Sequence, residues 1–312
     1  MKRLLLLALL AAAPQAQAAD KLTVMLDWFV NPDHGPIIVA NQLGYFKDAG
    51  LDVKIIAPSD PAEPPKMVAA GKADLAVAYQ PQLYLQHQEG LPLVRVGTLV
   101  DTPLYCVLTK ADGPVKTLAD LKGRKVGYSV AGVEQALLGG MLQHNGVAPD
   151  QVTWVNVNFS LVPALASGQV AAVSGAFRNF EPHQLAKLGQ QGRCFKPEDN
   201  GIPPYDELIY EANPKTMKRD SIVRFLQATE KAVAYIKAHP EEAWKAYTSY
   251  AKDLGDTLNR EAWQDTVHYF DPKPMALDAK RYADFGAFMA AAKLIPAAPK
   301  VADIAIDPSQ AK

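Results

Sequence analysis

Short apolar runs recur along the chain, and between them the apolar spacing changes from every second residue to every third or fourth. Leu22 to Leu26, Asp52 to Ile56, Leu75 to Ala78, Leu93 to Val100, Leu104 to Thr109, Val152 to Val157, Ala171 to Gly175 and Leu208 to Glu211 read as strands. A further strand ends near Tyr128. Helical patterns follow several of them: Pro36 onward, Lys66 to Ala70, Gln82 to Glu89, a segment after Thr117 that stops at Gly123, Glu134 to Asn145, and a short helix from Asn158 to Val170. Pro58 to Pro65 holds four prolines and reads as a surface loop. Beyond Arg193 the pattern turns irregular through Pro203-Pro204-Tyr205-Asp206-Glu207. From Ser221 the rest is mostly helical, over Ser221 to His239, Pro240 to Ala251 and Asn259 to Tyr269.

Strands alternating with helices predict an α/β chain with ligands bound at the carboxyl ends of the strands. The plan repeats. A helix, a glycine and a strand ending in an aromatic residue occur at 70 to 79 and again at 167 to 177. Two such halves, each presenting an aromatic and polar loop, suit two lobes facing one cleft.

The loops at the strand ends hold the candidate chemistry. Asp27, Trp28, Asn31 and His34 follow the first strand, Tyr79 and Gln82 the third, and Phe177, Asn179 and Glu181 the strand from Ala171. An exposed ring with a neighbouring acceptor suits a flat polar ligand, while Trp28 and Phe29 equally suit the cap of a core. Ser129 to Gly132 is a small-residue turn into a helix, whose unpaired amides suit an anionic or polar group.

Composition excludes more than it names. With 32 Lys and Arg against 33 Asp and Glu, the formal charge of -1 gives no bias toward nucleic acid or membrane surfaces. Met1-Lys2-Arg3, the apolar Leu4 to Ala13 and the Ala16-Gln17-Ala18 site form a secretory signal peptide over residues 1 to 19, cleaved after Ala18 or Ala19. Both cysteines, Cys106 and Cys194, therefore meet a compartment that permits disulfides, and pairing and separate burial both remain open. The histidines lack ligand spacing, so no metal is expected.

Several motifs together carry a resemblance that covers the mature chain. They are Leu26-Asp27-Trp28 with Asn31 and His34, Gly44-Tyr45-Phe46 with Gly50-Leu51-Asp52-Val53, Gly71-Lys72-Ala73-Asp74, Leu118-Ala119-Asp120-Leu121-Lys122-Gly123 with Lys125-Val126-Gly127-Tyr128, and Glu181 after Gly175-Ala176-Phe177. The chain resembles the periplasmic solute-binding proteins of ABC importers, in the branch of thiamin pyrimidine-precursor binders to which a yeast pyrimidine synthase is related. That resemblance implies a two-lobed periplasmic-binding-protein fold of type II with the ligand cleft between the lobes. Residues 20–104 and 208–312 would form a discontinuous first lobe, and residues 105–207 the second.

The resemblance further implies a monomeric periplasmic receptor that passes a pyrimidine to membrane permease subunits, without cofactor or nucleic acid. Trp28 and Tyr79 would stack on the ring; Asp27, Asn179 and Glu181 would pair with its amino group and nitrogens. His34, Gln82, Ser129 and Phe177 complete the expected site, and Tyr205 would close its far end. A flavin-like heterocycle or a sulfonate is the alternative ligand. The synthase's cofactor-binding lysine and substrate histidine correspond to Ala78 and Gln82 here, so the resemblance implies binding rather than synthesis.

Overall fold

The computed structural model describes residues 18–310, and all but the last two residues of the expected leader lie outside them. Among the described residues, ten strands form two sheets. The first contains β1 (Asp20–Met25), β2 (Leu51–Ile56), β3 (Leu75–Tyr79), β4 (Val94–Val100) and, after a long excursion, β10 (Leu208–Ala212). The second contains β5 (Tyr105–Lys110), β6 (Lys125–Tyr128), β7 (Thr153–Asn156), β8 (Ala172–Phe177) and β9 (Gly192–Phe195). Their orders, β2-β1-β3-β10-β4 and β7-β6-β8-β5-β9, follow one plan. In each, three parallel strands adjoin an antiparallel strand that belongs to a crossover: β10 pairs β3 and β4, and β5 pairs β8 and β9.

The chain crosses between lobes twice, from Val100 to Tyr105 and from Phe195 to Leu208. The first lobe's core joins Val24, Leu26 and Val77 of its sheet to Ile37, Ile38, Phe225 and Trp263 of its helices. In the second lobe Cys106, Leu108, Val173 and Ala176 pack on Leu161, Val162 and Leu165, and Trp28 from the other lobe joins them. β3 and β4 are buried along almost their whole length, which explains why they read as unbroken apolar runs.

Local expectations mostly hold, with informative departures. Pro64 and Pro65 are not loop residues: they open the helix Pro64–Ala69 and are buried, since proline's fixed φ and missing N–H suit the first helical positions. The segment after Thr117 is a 3-10 turn, Leu118–Leu121, held by the Asp120 carboxylate accepting from the Thr117 amide at 2.8 Å. β9 was not expected; it runs two residues past Arg193, and from there to Glu207 the chain is irregular as expected, apart from a 3-10 turn over Glu198–Asn200. β9 is a half-buried edge strand of Gly-Arg-Cys-Phe without alternation, so its ladder to β5 defines it.

Cys106 and Cys194 are bonded, with their Cα atoms 5.4 Å apart, so the disulfide ties β5 to its edge neighbour β9. The bond spans 88 residues. Replacing both cysteines by serine should therefore destabilise the protein by about 2–4 kcal/mol, read as a lower urea midpoint. An unchanged midpoint would show that the ladder alone holds the edge.

Candidate functional site

The site begins where β1 ends. Asn31 caps a 3-10 turn, Pro32–His34, by accepting from the Asp33 amide at 2.8 Å. The Asn31 amide donates to His34 Nδ1 at 3.3 Å, which makes Nδ1 the acceptor and leaves the proton on Nε2. Nε2 then donates to Asp27 Oδ1 at 2.8 Å, and the Tyr79 hydroxyl donates to Asp27 Oδ2 at the same distance. Burial, and then the Asp27 carboxylate, push Tyr79 well above the ordinary phenol range, so it remains a donor. Asp27 is thus fixed from both sides by its own lobe.

A narrow cleft of about 30 Å3 lies between this loop and the second lobe. Five aromatic rings line it: Trp28, Tyr79, Tyr105, Phe177 and Phe180. Five carboxylates do so too: Asp27, Asp33, Glu134, Glu181 and Glu207. Asn31, Val130, Val133, Leu137 and Gly175 complete the wall. Among the described residues, no lysine, arginine or histidine lines it.

Burial dominates the electrostatics. It raises Glu181 to about 8 even though the Phe177 amide donates to Oε2 at 2.7 Å, because Asp33 and Asp27 add repulsion. Burial likewise raises Glu207 to about 7, Asp33 to about 6 and Glu134 well above the carboxylate range. A raised pKa means that the folded protein binds more protons than the unfolded chain, so stability falls as pH rises from the unfolded value toward the folded one. The unliganded midpoint of thermal unfolding should therefore drop between about pH 5 and about pH 8, and Glu181→Gln should flatten that slope. A wild-type profile level or rising across that range would contradict this account.

The expected residues divide. Asp27, Trp28, Tyr79, Phe177 and Glu181 line one space. His34 stands behind Asp27, fully buried, and orients it. Asn179 is also a layer back. Its Nδ2 donates at 2.6 Å both to Asp33 Oδ1 and to Thr266 Oγ1, so this second-lobe side chain clasps the first lobe instead of facing the cleft. Outside it, His183 pairs with Asp265 at 2.7 Å and Lys187 with Asp256 at 2.7 Å along the same seam.

Three further expected residues are also absent from the wall. Gln82 is buried within the helix Gln80–Gln88, outside the lining. Tyr205 is buried against Phe285, with its hydroxyl donating to Glu207 at 3.1 Å, because the crossover turns its ring into the core. Ser129 borders a separate shallow pocket near Lys66 and Asn158. The Ser129 and Val130 amides, expected to suit a ligand, are taken by Glu134, whose Oε2 lies 2.6 Å from the Ser129 nitrogen. Gly175, at φ +97°, makes room, since a Cβ there would run into the Glu134 carboxylate.

Glu134, Glu207, Tyr105 and Phe180 were not singled out from the sequence. A carboxylate one residue into a helix after a small-residue turn was the available signal for Glu134.

The sequence from 31 to 243 matches a family described as NMT1/THI5 like. The chain belongs to the NMT1/THI5-like family. Within it, a Haemophilus influenzae protein named for thiamine biosynthesis is 52% identical over 93% of each chain. The formylaminopyrimidine-binding protein of Halalkalibacterium halodurans is 34% identical over 82% of this chain and 78% of its own. A 4-amino-5-hydroxymethyl-2-methylpyrimidine phosphate synthase of Saccharomyces cerevisiae is 29% identical over 81% of this chain and 78% of its own. Among solved structures, the alkanesulfonate-binding protein SsuA of Xanthomonas axonopodis pv. citri superposes with a TM-score of 0.72 at 16% identity, over 93% of this chain and 99% of that one. At that identity the likeness concerns the fold, which in this NMT1/THI5-like chain is that of the periplasmic binding proteins. Among the described residues, no helix is long and apolar enough to cross a membrane.

Proposed function

We propose that the chain is the solute-binding component of an ABC importer, capturing a formylaminopyrimidine-like or hydroxymethylpyrimidine-like thiamin precursor in the periplasm for delivery to a permease. The observation that carries this reading is the wall of five carboxylates and five rings without a cation. Rings accept the faces of a flat heterocycle, and carboxyl groups raised by burial to about 7 and about 8 can accept from its amino group or donate to its ring nitrogens. An alkanesulfonate would bring a fixed negative charge against acids and find no guanidinium or ammonium.

Trp28 and Tyr79 are assigned to the ring faces, and Asp27 and Glu181 to its polar edge. His34 and Asn179 position that wall rather than touch ligand. The two lobes would enclose the ligand by rotation about the crossovers, an equilibrium that ligand shifts because only the closed form contacts it from both sides. The synthase reading finds no support at Ala78, whose methyl group supplies no amine for a pyridoxal cofactor, nor at Gln82, outside the wall.

Calorimetric titration tests the reading. A formylaminopyrimidine should bind at least about 100-fold more tightly than an alkanesulfonate of similar size, a difference of about 2.7 kcal/mol. Equal affinities, or tighter sulfonate binding, would end the proposal.

A further inference from the structure

Glu207 is the last residue of the second crossover, one position before β10. Its Oε2 accepts three hydrogen bonds, from the Leu104 amide at 2.6 Å, the Tyr105 amide at 2.8 Å and the Tyr205 hydroxyl at 3.1 Å. Leu104 and Tyr105 belong to the first crossover, Tyr205 to the second. One oxygen therefore staples together the two segments about which the lobes must rotate. Oε1 has no donor among the described residues, and Glu207 lines the cleft.

The surroundings hold the staple in place. Arg178 donates to the Leu104 and Tyr105 carbonyls at 3.4 and 3.2 Å, clamping the first crossover from its other edge, and Glu198 holds Arg178 in turn. The neighbouring Asp206 accepts from Thr98 at 2.8 Å and Tyr282 at 3.0 Å and pairs with Arg281, anchoring the second crossover to the first lobe. Glu207 thus lines the cleft from a rigid base, with Oε2 taken by the crossovers and Oε1 left without a donor among the described residues.

We infer that Glu207 is a specificity-determining residue that couples ligand identity to lobe closure: Oε2 fixes the crossovers while Oε1 accepts an N–H from the exocyclic amine of the ligand. This rests on the pyrimidine reading above and adds a residue to it. A ligand bearing an oxygen where the amine should be would oppose an acceptor to an acceptor, at the place where closure is hinged. Burial raises the carboxyl to about 7, so such a ligand is received only after proton uptake, whereas the amine is received by the carboxylate.

The test compares 4-amino-5-hydroxymethyl-2-methylpyrimidine with its 4-oxo counterpart by calorimetry at about pH 8, where the carboxylate predominates. The wild type should prefer the amine by at least about 30-fold. Glu207→Gln keeps an oxygen for the crossover amides and turns an NH2 to the cleft, so the preference should shrink at least tenfold or invert. Tyr205→Phe removes one donor to the staple but leaves Oε1, so it should weaken both ligands together and leave their ratio unmoved. If Glu207→Gln does not fold, Glu207→Asp carries the same readout with its carboxylate drawn back from the cleft. A folded Glu207 variant with the wild-type ratio would overturn the inference while leaving the pyrimidine reading intact. A wild type that binds neither pyrimidine would overturn both.

Discussion

Trp28→Ala should weaken binding of the aminopyrimidine by about 100-fold or more, with a much smaller change in the unfolding midpoint of the unliganded protein. Trp28 leaves the first lobe at the end of β1 yet is 7% exposed among second-lobe residues, with its ring 4.6 Å from Phe159 in a T-shaped pair. Truncating a buried tryptophan costs about 3–5 kcal/mol. Here that loss falls on contacts made across the cleft, so it opposes closure more than folding of either lobe. Each 1.4 kcal/mol against closure costs about tenfold in apparent affinity, before the lost ring contact with ligand is counted. Trp28→Phe, which keeps a ring against Phe159, should recover most of the affinity. An alanine variant that binds within threefold of wild type would remove Trp28 from both roles.

That double role was only half legible in the sequence. A tryptophan at a strand end suggested either a ligand platform or a core cap; the structure makes Trp28 a wall residue and a core residue at once, the core belonging to the opposite lobe. Strands and parallel crossovers were readable because each apolar run is bounded locally by Gly, Pro or a capping residue. Asp27, Tyr79 and Glu181 were readable for a related reason: loops after parallel strands gather at one sheet edge whatever the distant chain does. Glu207 and Tyr105 reach the same space from crossover segments that run antiparallel, where the strand-end rule says nothing. Tyr205 misled because Glu207, two positions further on, lines the cleft while the Tyr205 ring packs in the core. Glu134 explains why the small-residue turn cannot serve as an anion site: the chain supplies its own anion, and Gly175 is the space left for it.

Asn179→Asp should cost about 100-fold in affinity at about pH 8 and less at about pH 5. In this structure the Asn179 amide gives both its protons away, one to Asp33 and one to Thr266, whose own hydroxyl donates to the Ala262 carbonyl. A carboxylate at 179 would face Asp33 and a hydroxyl already committed elsewhere. Asp33 is buried, raised to about 6 by that burial against the opposing pull of Asn179 and His34, with Asp27 adding repulsion. Losing the amide donor and gaining a negative neighbour both raise it further, so closure of the variant must take up a proton that the wild type does not need. Proton uptake becomes costlier as pH rises, and the ratio of variant to wild-type dissociation constants should therefore climb from about pH 5 to about pH 8. Asn179→Ala removes the donors without adding charge and should show the loss with a shallower climb. Taking the ratio to the wild type at each pH cancels the titration of Glu181 and Glu207, which both proteins share. A ratio that stays constant or falls with pH would mean that the lobes close without the Asn179 clasp, and that the contact is a consequence of closure rather than one of its causes.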